Sequence, residues 1–374
     1  MKVALVYDRV NKWGGAERVL LALHKIFPKA PLYTAVYNRE KAPWAKLFDV
    51  RTSFLQNFPH ASFSHEFYAS LMPLAFESFN FNEYDLVISV TSEAAKGIIT
   101  RPKTLHICYC LTPTRYLWSG YEDYFKNKTF KILSKPVISY LKKWDKVAAK
   151  RPDYIIAISK EVKERIKKYY GRDSEVIFPP LTLAFNKLAS NVQLNTKLNV
   201  NKLDARRLPY FLVVSRLVSY KRIDIAIDAF NNLKIPLKIV GDGRQKEKLR
   251  KIAKNNIEFL GTLTDEELMS YYKNCQALIF PGLEDFGLTV VEVQSFGKPV
   301  VAFGGGGALE TVIRGKTGEF FDKQHHKSLS RAIKNFDSKK YKAMDCIRNS
   351  KRFGFERFEK ELKNFLFKAI KNKN

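Results

Sequence analysis

Residues 276–296 read QALIFPGLEDFGLTVVEVQSF, and the order of residue types within them decides the architecture. Gln276 to Pro281 is a short apolar run closed by a Pro-Gly pair, the composition of a buried strand. From Thr289 to Phe296 the apolar residues take a helix-compatible spacing. The unit is therefore strand, glycine-containing loop, helix. A helix beginning near Gly287 aims free backbone N–H groups at whatever lies before it, which favours phosphate. Glu284, ahead of the helix, and Glu292, about two turns into it, are left to accept from hydroxyls. A nucleotide-sugar has that pattern, a diphosphate between a ribose and a hexose.

The same alternation runs outward from this unit. In the first half, KVALVY, APLYTAV, YDLVISV, TLHICYC and DYIIAIS are strand-like, with helical stretches such as Ala16 to Ile26 and Lys160 to Tyr170 between them. In the second half, YFLVVS, LKIVG, IEFLG, ALIFP and KPVVAF alternate with helical patterns over 222–233, 244–255, 264–274 and 289–296. Such alternation implies parallel sheets with helices on both faces, hence an α/β fold of two doubly wound domains. The expected domains are 1–181 and 182–354, with 182–207 a polar, asparagine-rich linker or surface loop. Residues 355–374 form a closing helix whose Phe355, Phe358, Leu362, Leu366 and Ile370 recur at helical spacing and need a surface, expected on the first domain.

A chain of 374 residues, 45% apolar, is long enough to bury two cores. It has no run of about 20 uninterrupted apolar residues, and MKVALVYDRV reads as strand and loop rather than a signal peptide. A cytoplasmic protein is expected. Cys108, Cys110, Cys275 and Cys346 fit buried free thiols, since no second pair or histidine cluster completes a metal site.

The charge is lopsided, 65 Lys and Arg against 37 Asp and Glu, for a net +28. Acidic partners compatible with it are nucleic acid, an anionic lipid surface or a phosphorylated substrate. Between Lys126 and Arg172 there are 15 basic and four acidic residues. KTFKILSKPVISYLKKWDKVAAK interleaves lysines with apolar residues, which reads as a basic amphipathic helix pair broken near Pro136. No nucleic-acid motif accompanies the charge, so specific nucleic-acid binding is not expected. An anionic membrane surface is, with the protein peripheral on the inner face of the cell membrane.

Other loops suit phosphate. SRLVSYKR follows a strand and places Arg216 and Lys221 where two cations could neutralise a diphosphate leaving group. GGAER, with Gly14, Gly15 and Ala16, opens a helix after the first strand. It is not a GxGxxG pattern, so a dinucleotide cofactor is not supported. VGDG, with Gly241 and Gly243, and GGGG at 304–307 put glycine at strand C-terminal ends, where doubly wound folds bind ligands.

On GGAER, SRLVSYKR, VGDG, FLGTLTDEEL, EDFGLTVVE and KTGEFF, the chain resembles, nearly end to end, the retaining glycosyltransferases of the GT4 family. A narrower likeness, over LMPLAFESFNFNEYDLVIS, AAKGI and CYCLTPTRYLW, is to bacterial transferases, often mannosyltransferases using GDP-mannose, that build O-antigen or exopolysaccharide units on polyprenyl diphosphate. The resemblance implies a GT-B fold with two Rossmann-like domains facing a central cleft, a nucleotide-sugar donor, and a lipid-linked or oligosaccharide acceptor. It implies no metal or other cofactor. It gives Arg216 and Lys221 the donor diphosphate and Glu292 the ribose. Glu284 and the backbone of Phe286, Gly287 and Leu288 take the sugar and its phosphate. Leu260 to Leu263 lie near the base, and Gly14 to Ala16 approach the phosphates from the other domain. Arg115, Tyr116 and Trp118 fall on the acceptor side.

One departure stands out. Where the relatives read CHTPxRYxW, with a histidine toward the donor's C6 hydroxyl, this chain has Leu111, which neither donates a hydrogen bond nor relays a proton. Either activity is impaired at that position, leaving a binding homologue, or the donor offers nothing there that needs a partner. A GT-B sugar-nucleotide epimerase is the remaining alternative, although no acid/base carboxylates mark it. His106, in TLHICYC, reads as a core histidine.

Overall fold

The computed structural model describes residues 1–125, 127–181 and 209–373. They form two compact units, Met1–Pro180 together with Phe358–Asn374, and Leu181–Arg357. The linker expected at 182–207 lies outside the described residues.

The first unit is built on a parallel sheet of seven strands: β1 (Val3–Tyr7), β2 (Leu32–Thr34), β3 (Val50–Thr52), β4 (Leu86–Thr91), β5 (Leu105–Cys110), β6 (Tyr154–Ala157) and β7 (Glu175–Val176). Their order is β3-β2-β1-β4-β5-β6-β7. The central strands are apolar and fully buried, Leu5, Ile88 and Ile107 being 0% exposed, as a sheet covered on both faces requires. The edge strands β3, VRT, and β7, EV, are too short and polar to show in an apolar pattern. The helix Phe355–Lys373 ends in this unit: Phe358 meets Tyr109 edge to face at 6.0 Å, Phe365 meets Tyr154 at 5.8 Å, and Lys373 reaches Asp153 at 2.5 Å.

In the second unit, β8 (Phe211–Val214), β9 (Leu237–Val240), β10 (Ile257–Gly261), β11 (Leu278–Phe280), β12 (Val300–Phe303) and β13 (Gly318–Phe321) form a six-stranded parallel sheet in the order β10-β9-β8-β11-β12-β13. Phe211, Phe230, Ile239, Ile279 and Phe321 anchor its core. In both sheets the chain changes direction of winding once, between β1 and β4 and between β8 and β11. The carboxyl ends of those neighbouring strands part to leave a crevice, where open α/β sheets bind ligands.

The amphipathic stretch corrects an expectation. Lys128–Ala148 is one helix of 21 residues with Pro136 inside it, not a broken pair. Proline removes a single donor and strains one turn. Ile138 and Leu141, buried against Leu117, and Trp144, whose Nε1 donates to Glu77 at 2.7 Å, fasten the helix beyond that turn.

Candidate functional site

At the switch point of the second unit, two loops rise from adjacent strands. After β8, Ser215–Arg222 carries Arg216 and Lys221; after β11, Pro281–Gly287 carries Glu284. The Lys221 ammonium is ion-paired with the Glu284 carboxylate, and the two side chains are only 13% and 16% exposed. Arg216 donates to the Tyr220 hydroxyl at 2.6 Å, and the Lys221 ammonium lies 5.3 Å from the Tyr220 ring centre. Tyr220 thus touches both cations, through its hydroxyl and its ring face.

The glycines expected at a ligand have a nearer purpose. A Cβ on Gly241, φ +131°, would lie 1.9 Å from the Ser215 carbonyl oxygen, and one on Gly243 would lie 2.4 Å from that of Leu217. The VGDG loop presses backbone to backbone on the loop that carries Arg216, and Leu217 N–H donates to Asp242 C=O at 2.8 Å. The glycine run at 304–307 does the same for Glu284: Gly307 N–H donates to its carbonyl at 2.8 Å. These four loops are therefore held as one assembly.

Gly287, φ +93°, is the N-cap of the helix Leu288–Ser295, and no side chain caps that end. Val290 N–H donates to Gly287 C=O at 3.0 Å, and the N–H groups ahead of it, at the uncapped start of the helix, are suited to an anion. Phe286 is buried beside Phe353, with ring centres 5.4 Å apart. Glu292 is 1% exposed and accepts from the Tyr272 hydroxyl at 2.8 Å, so it does not lie on a solvated face of its helix. Leu260, at a register shift in β10, and Leu263 just beyond it are half-buried.

In the first unit, Gly14 is the N-cap of the helix Gly15–Ile26. Glu17, one turn in, is buried and accepts from Tyr7 at 2.6 Å, so burial and then the Glu17 charge raise the Tyr7 pKa. Beside it, at the end of β1, Asp8 accepts from the Thr91 hydroxyl at 2.8 Å and the N–H groups of Ser92 and Ala95 at 2.7 and 2.9 Å. Arg9 pairs with Glu93 at 2.7 Å. Leu111, half-buried just past β5, donates its N–H to Thr91 at 2.8 Å. His106 is wholly buried against the Ser89 hydroxyl at 2.9 Å, with its pKa lowered to about 3 by burial.

The segment 112–118 is anchored by a cluster that sequence reasoning missed. Asp145, on the helix Lys128–Ala148, pairs with Lys96 at 2.6 Å, the two side chains 1% and 3% exposed. The same carboxylate accepts from the Thr114 hydroxyl at 2.8 Å and from Trp118 Nε1 at 2.7 Å. Burial alone would lower the Lys96 pKa; the field of Asp145 and its hydrogen bond outweigh that and raise it. Trp118 also stacks on Tyr169 at 5.3 Å, so its indole is committed to packing. Tyr116 is close by, its pKa raised by burial, and Arg115 C=O accepts from Gly120 at 2.8 Å. A lysine flanked by small apolar residues in AAKGI and the lone carboxylate of a lysine-rich helix were the available signals. For Asp8 and Glu93 the signal was a charge placed within two residues of the end of an apolar strand.

Residues 196–353 match the family model described as Glycosyl transferases group 1. The chain is 28% identical over 204 residues to an alpha-1,3/1,6-mannosyltransferase of Dictyostelium discoideum, 47% of this chain and 46% of that one. It is 26% identical over 210 residues to a D-rhamnosyltransferase of Pseudomonas aeruginosa, 53% of this chain and 51% of that one. The chain thus spans about half the length of the curated relatives it matches. Among solved structures, Anabaena HepE in complex with UDP superposes with a TM-score of 0.70 at 20% identity, over 98% of this chain and 100% of that one. That likeness establishes the fold, two Rossmann-like α/β units of the GT-B type.

Proposed function

We propose that this chain is a retaining glycosyltransferase that moves a sugar from a nucleoside-diphosphate donor to a glycan or lipid-linked acceptor. The observation that carries it is the convergence, at one switch point within the matched region, of Lys221, Glu284, the Arg216 loop and the open N-terminus of Leu288–Ser295. Arg216, Lys221 and the helix N-terminus hold the diphosphate, Glu284 the transferred sugar, and Glu292 the ribose. As the anomeric C–O bond to phosphate breaks, the departing phosphate oxygen accepts the proton of the incoming acceptor hydroxyl on the same face. The cations stabilise the charge that develops on that leaving group, and no metal is assigned to the step. Arg216→Ala and Lys221→Ala are each expected to weaken nucleoside-diphosphate binding by about 1.5–3 kcal/mol, the range for charge-assisted contacts. Isothermal titration with GDP and UDP measures this, and unchanged affinity in both variants sinks the proposal.

For the sugar, the mannosyl and rhamnosyl relatives support GDP-mannose or a related donor. Leu111 supports the 6-deoxy or pentose end of that range. Leucine facing C6 would leave a hydroxyl unpaired in a partly dry pocket, at about 1–3 kcal/mol, but would pack on a methyl group. A thermal-shift panel of nucleotide-sugars, rerun on Leu111→His, tests it. The natural sequence should rank the 6-deoxy donor above its hexose parent, and the variant should reverse the order. An unaltered order in the variant defeats the Leu111 argument.

Docking on an anionic membrane completes the reading. Among the described residues no helix is long and apolar enough to cross a membrane. The helix Lys128–Ala148 nevertheless exposes Ile132 by 71% and Leu133 by 73%, with Val137, Tyr140 and Val147 also outside, among Lys131, Lys135, Lys142, Lys143 and Lys146. Ala69 packs against the cluster to which Ile138 and Leu141 of that helix belong, and close to Ala69 in sequence are Phe67, 86% exposed, and Leu74. Each lysine at an acidic surface contributes on the order of 1 kcal/mol, so several suffice for reversible docking. Sedimentation with vesicles should require acidic lipid and fade with salt; equal recovery on neutral vesicles counts against it.

A further inference from the structure

We propose that Glu284 is a charge gate on the diphosphate pocket, competing for the Lys221 ammonium and so driving off the nucleoside diphosphate once its sugar has gone. This rests on the donor reading above. Lys221 and Glu284 are in direct contact and largely withdrawn from water. Their main chains are fixed, since Glu284 C=O accepts from Gly307 at 2.8 Å and Lys221 N–H donates to Val218 at 3.1 Å. Exchange of partners is thus left to side-chain torsions alone. Arg216, by contrast, has a neutral partner in the Tyr220 hydroxyl, which surrenders it to an anion at little electrostatic cost.

Any diphosphate that takes the Lys221 ammonium must draw it from a carboxylate and then sit beside that carboxylate. A donor still carrying its sugar brings hydroxyl groups that donate to Glu284 and compensate for the lost ammonium. The nucleoside diphosphate product brings none to that carboxylate. Glu284 then repels it across a few ångströms of poorly screened space and reclaims Lys221. The pair therefore discriminates between donor and product although both present the same two phosphates, and relieves the product inhibition that a purely cationic pocket would impose.

Glu284→Gln keeps the shape and removes the charge. Titration of GDP and UDP into it is expected to show affinity about tenfold tighter than in the natural sequence, as removal of one like charge at close range implies. Dissociation of bound GDP or UDP, followed by stopped-flow displacement, should slow in the same proportion, a readout independent of the part Glu284 plays in holding the sugar. Glu284→Ala, which also removes the charge, should tighten product binding in the same direction and guards against an artefact of the glutamine. If Arg216→Ala and Lys221→Ala weaken product binding while neither Glu284 variant strengthens it, the gate is overturned and the donor reading stands. If neither cation variant weakens it, the donor reading falls and the gate with it.

Discussion

Lys96→Ala is expected to lower the stability of the first unit by about 3–5 kcal/mol, the cost of stranding a buried charge. Asp145 is 1% exposed, and its carboxylate is held by Lys96 at 2.6 Å, Thr114 at 2.8 Å and Trp118 at 2.7 Å. Only neutral donors, among them Thr114, Trp118 and Tyr170, remain when the ammonium is removed, and they do not neutralise it. The carboxylate must then take up a proton or admit water, and either loosens its grip on 112–118. Lys96→Met, which fills the space without charge, should be nearly as costly, showing that the loss is electrostatic and not a cavity. All four tryptophans, Trp13, Trp44, Trp118 and Trp144, lie in the first unit, so their fluorescence in a urea titration follows its unfolding. A loss under about 1 kcal/mol would mean that the pair behaves as an exposed one.

Gly241→Ala should destabilise the second unit by about 3 kcal/mol or more, with no loss of any side-chain contact. Its φ of +131° is a backbone region that L-residues other than glycine rarely enter, at about 1–3 kcal/mol, and its Cβ would arrive 1.9 Å from the Ser215 carbonyl oxygen. Relief requires the loop that carries Arg216 to move, so nucleoside-diphosphate affinity should drop together with stability. Gly261→Ala is the control: its φ is +72°, but nothing lies within 4 Å of the added carbon. That substitution should cost only about 1–2 kcal/mol of backbone strain. Calorimetric unfolding of the two variants compares them directly, and equal losses would show that the collision is absorbed without effect.

Much of this was written in local sequence. A parallel strand buried on both faces must be an apolar run, and a helix must repeat near every 3.6 residues, so ten of the runs quoted above align with β1, β2, β4, β5, β6 and β8 through β12. The start of Leu288–Ser295 could be read from Gly287, because φ +93° suits glycine and few other residues. Short edge strands escaped, since VRT and EV have only a few residues to pattern and one side in solvent. Pro136 misled, because local chemistry says that proline breaks a helix, whereas packing of the turns beyond it holds the helix as one piece.

What side chains do was decided only by the tertiary structure. Spacing put Arg216, Lys221 and Glu284 in loops that follow strands, but whether Lys221 would reach Glu284 depends on β8 and β11 lying side by side, a pairing between distant segments. Lys96 and Asp145 belong to segments far apart in the chain and meet because the turn after β4 packs against the helix Lys128–Ala148. Glycines announced loops but not what pressed on them; Gly241 and Gly243 face the Ser215 and Leu217 carbonyls. Local composition fixes φ, ψ and which faces are apolar, because those are short-range properties of the chain. Charge pairing, burial and pKa depend on distances between segments that composition leaves undetermined, and only the packed sheets supply them.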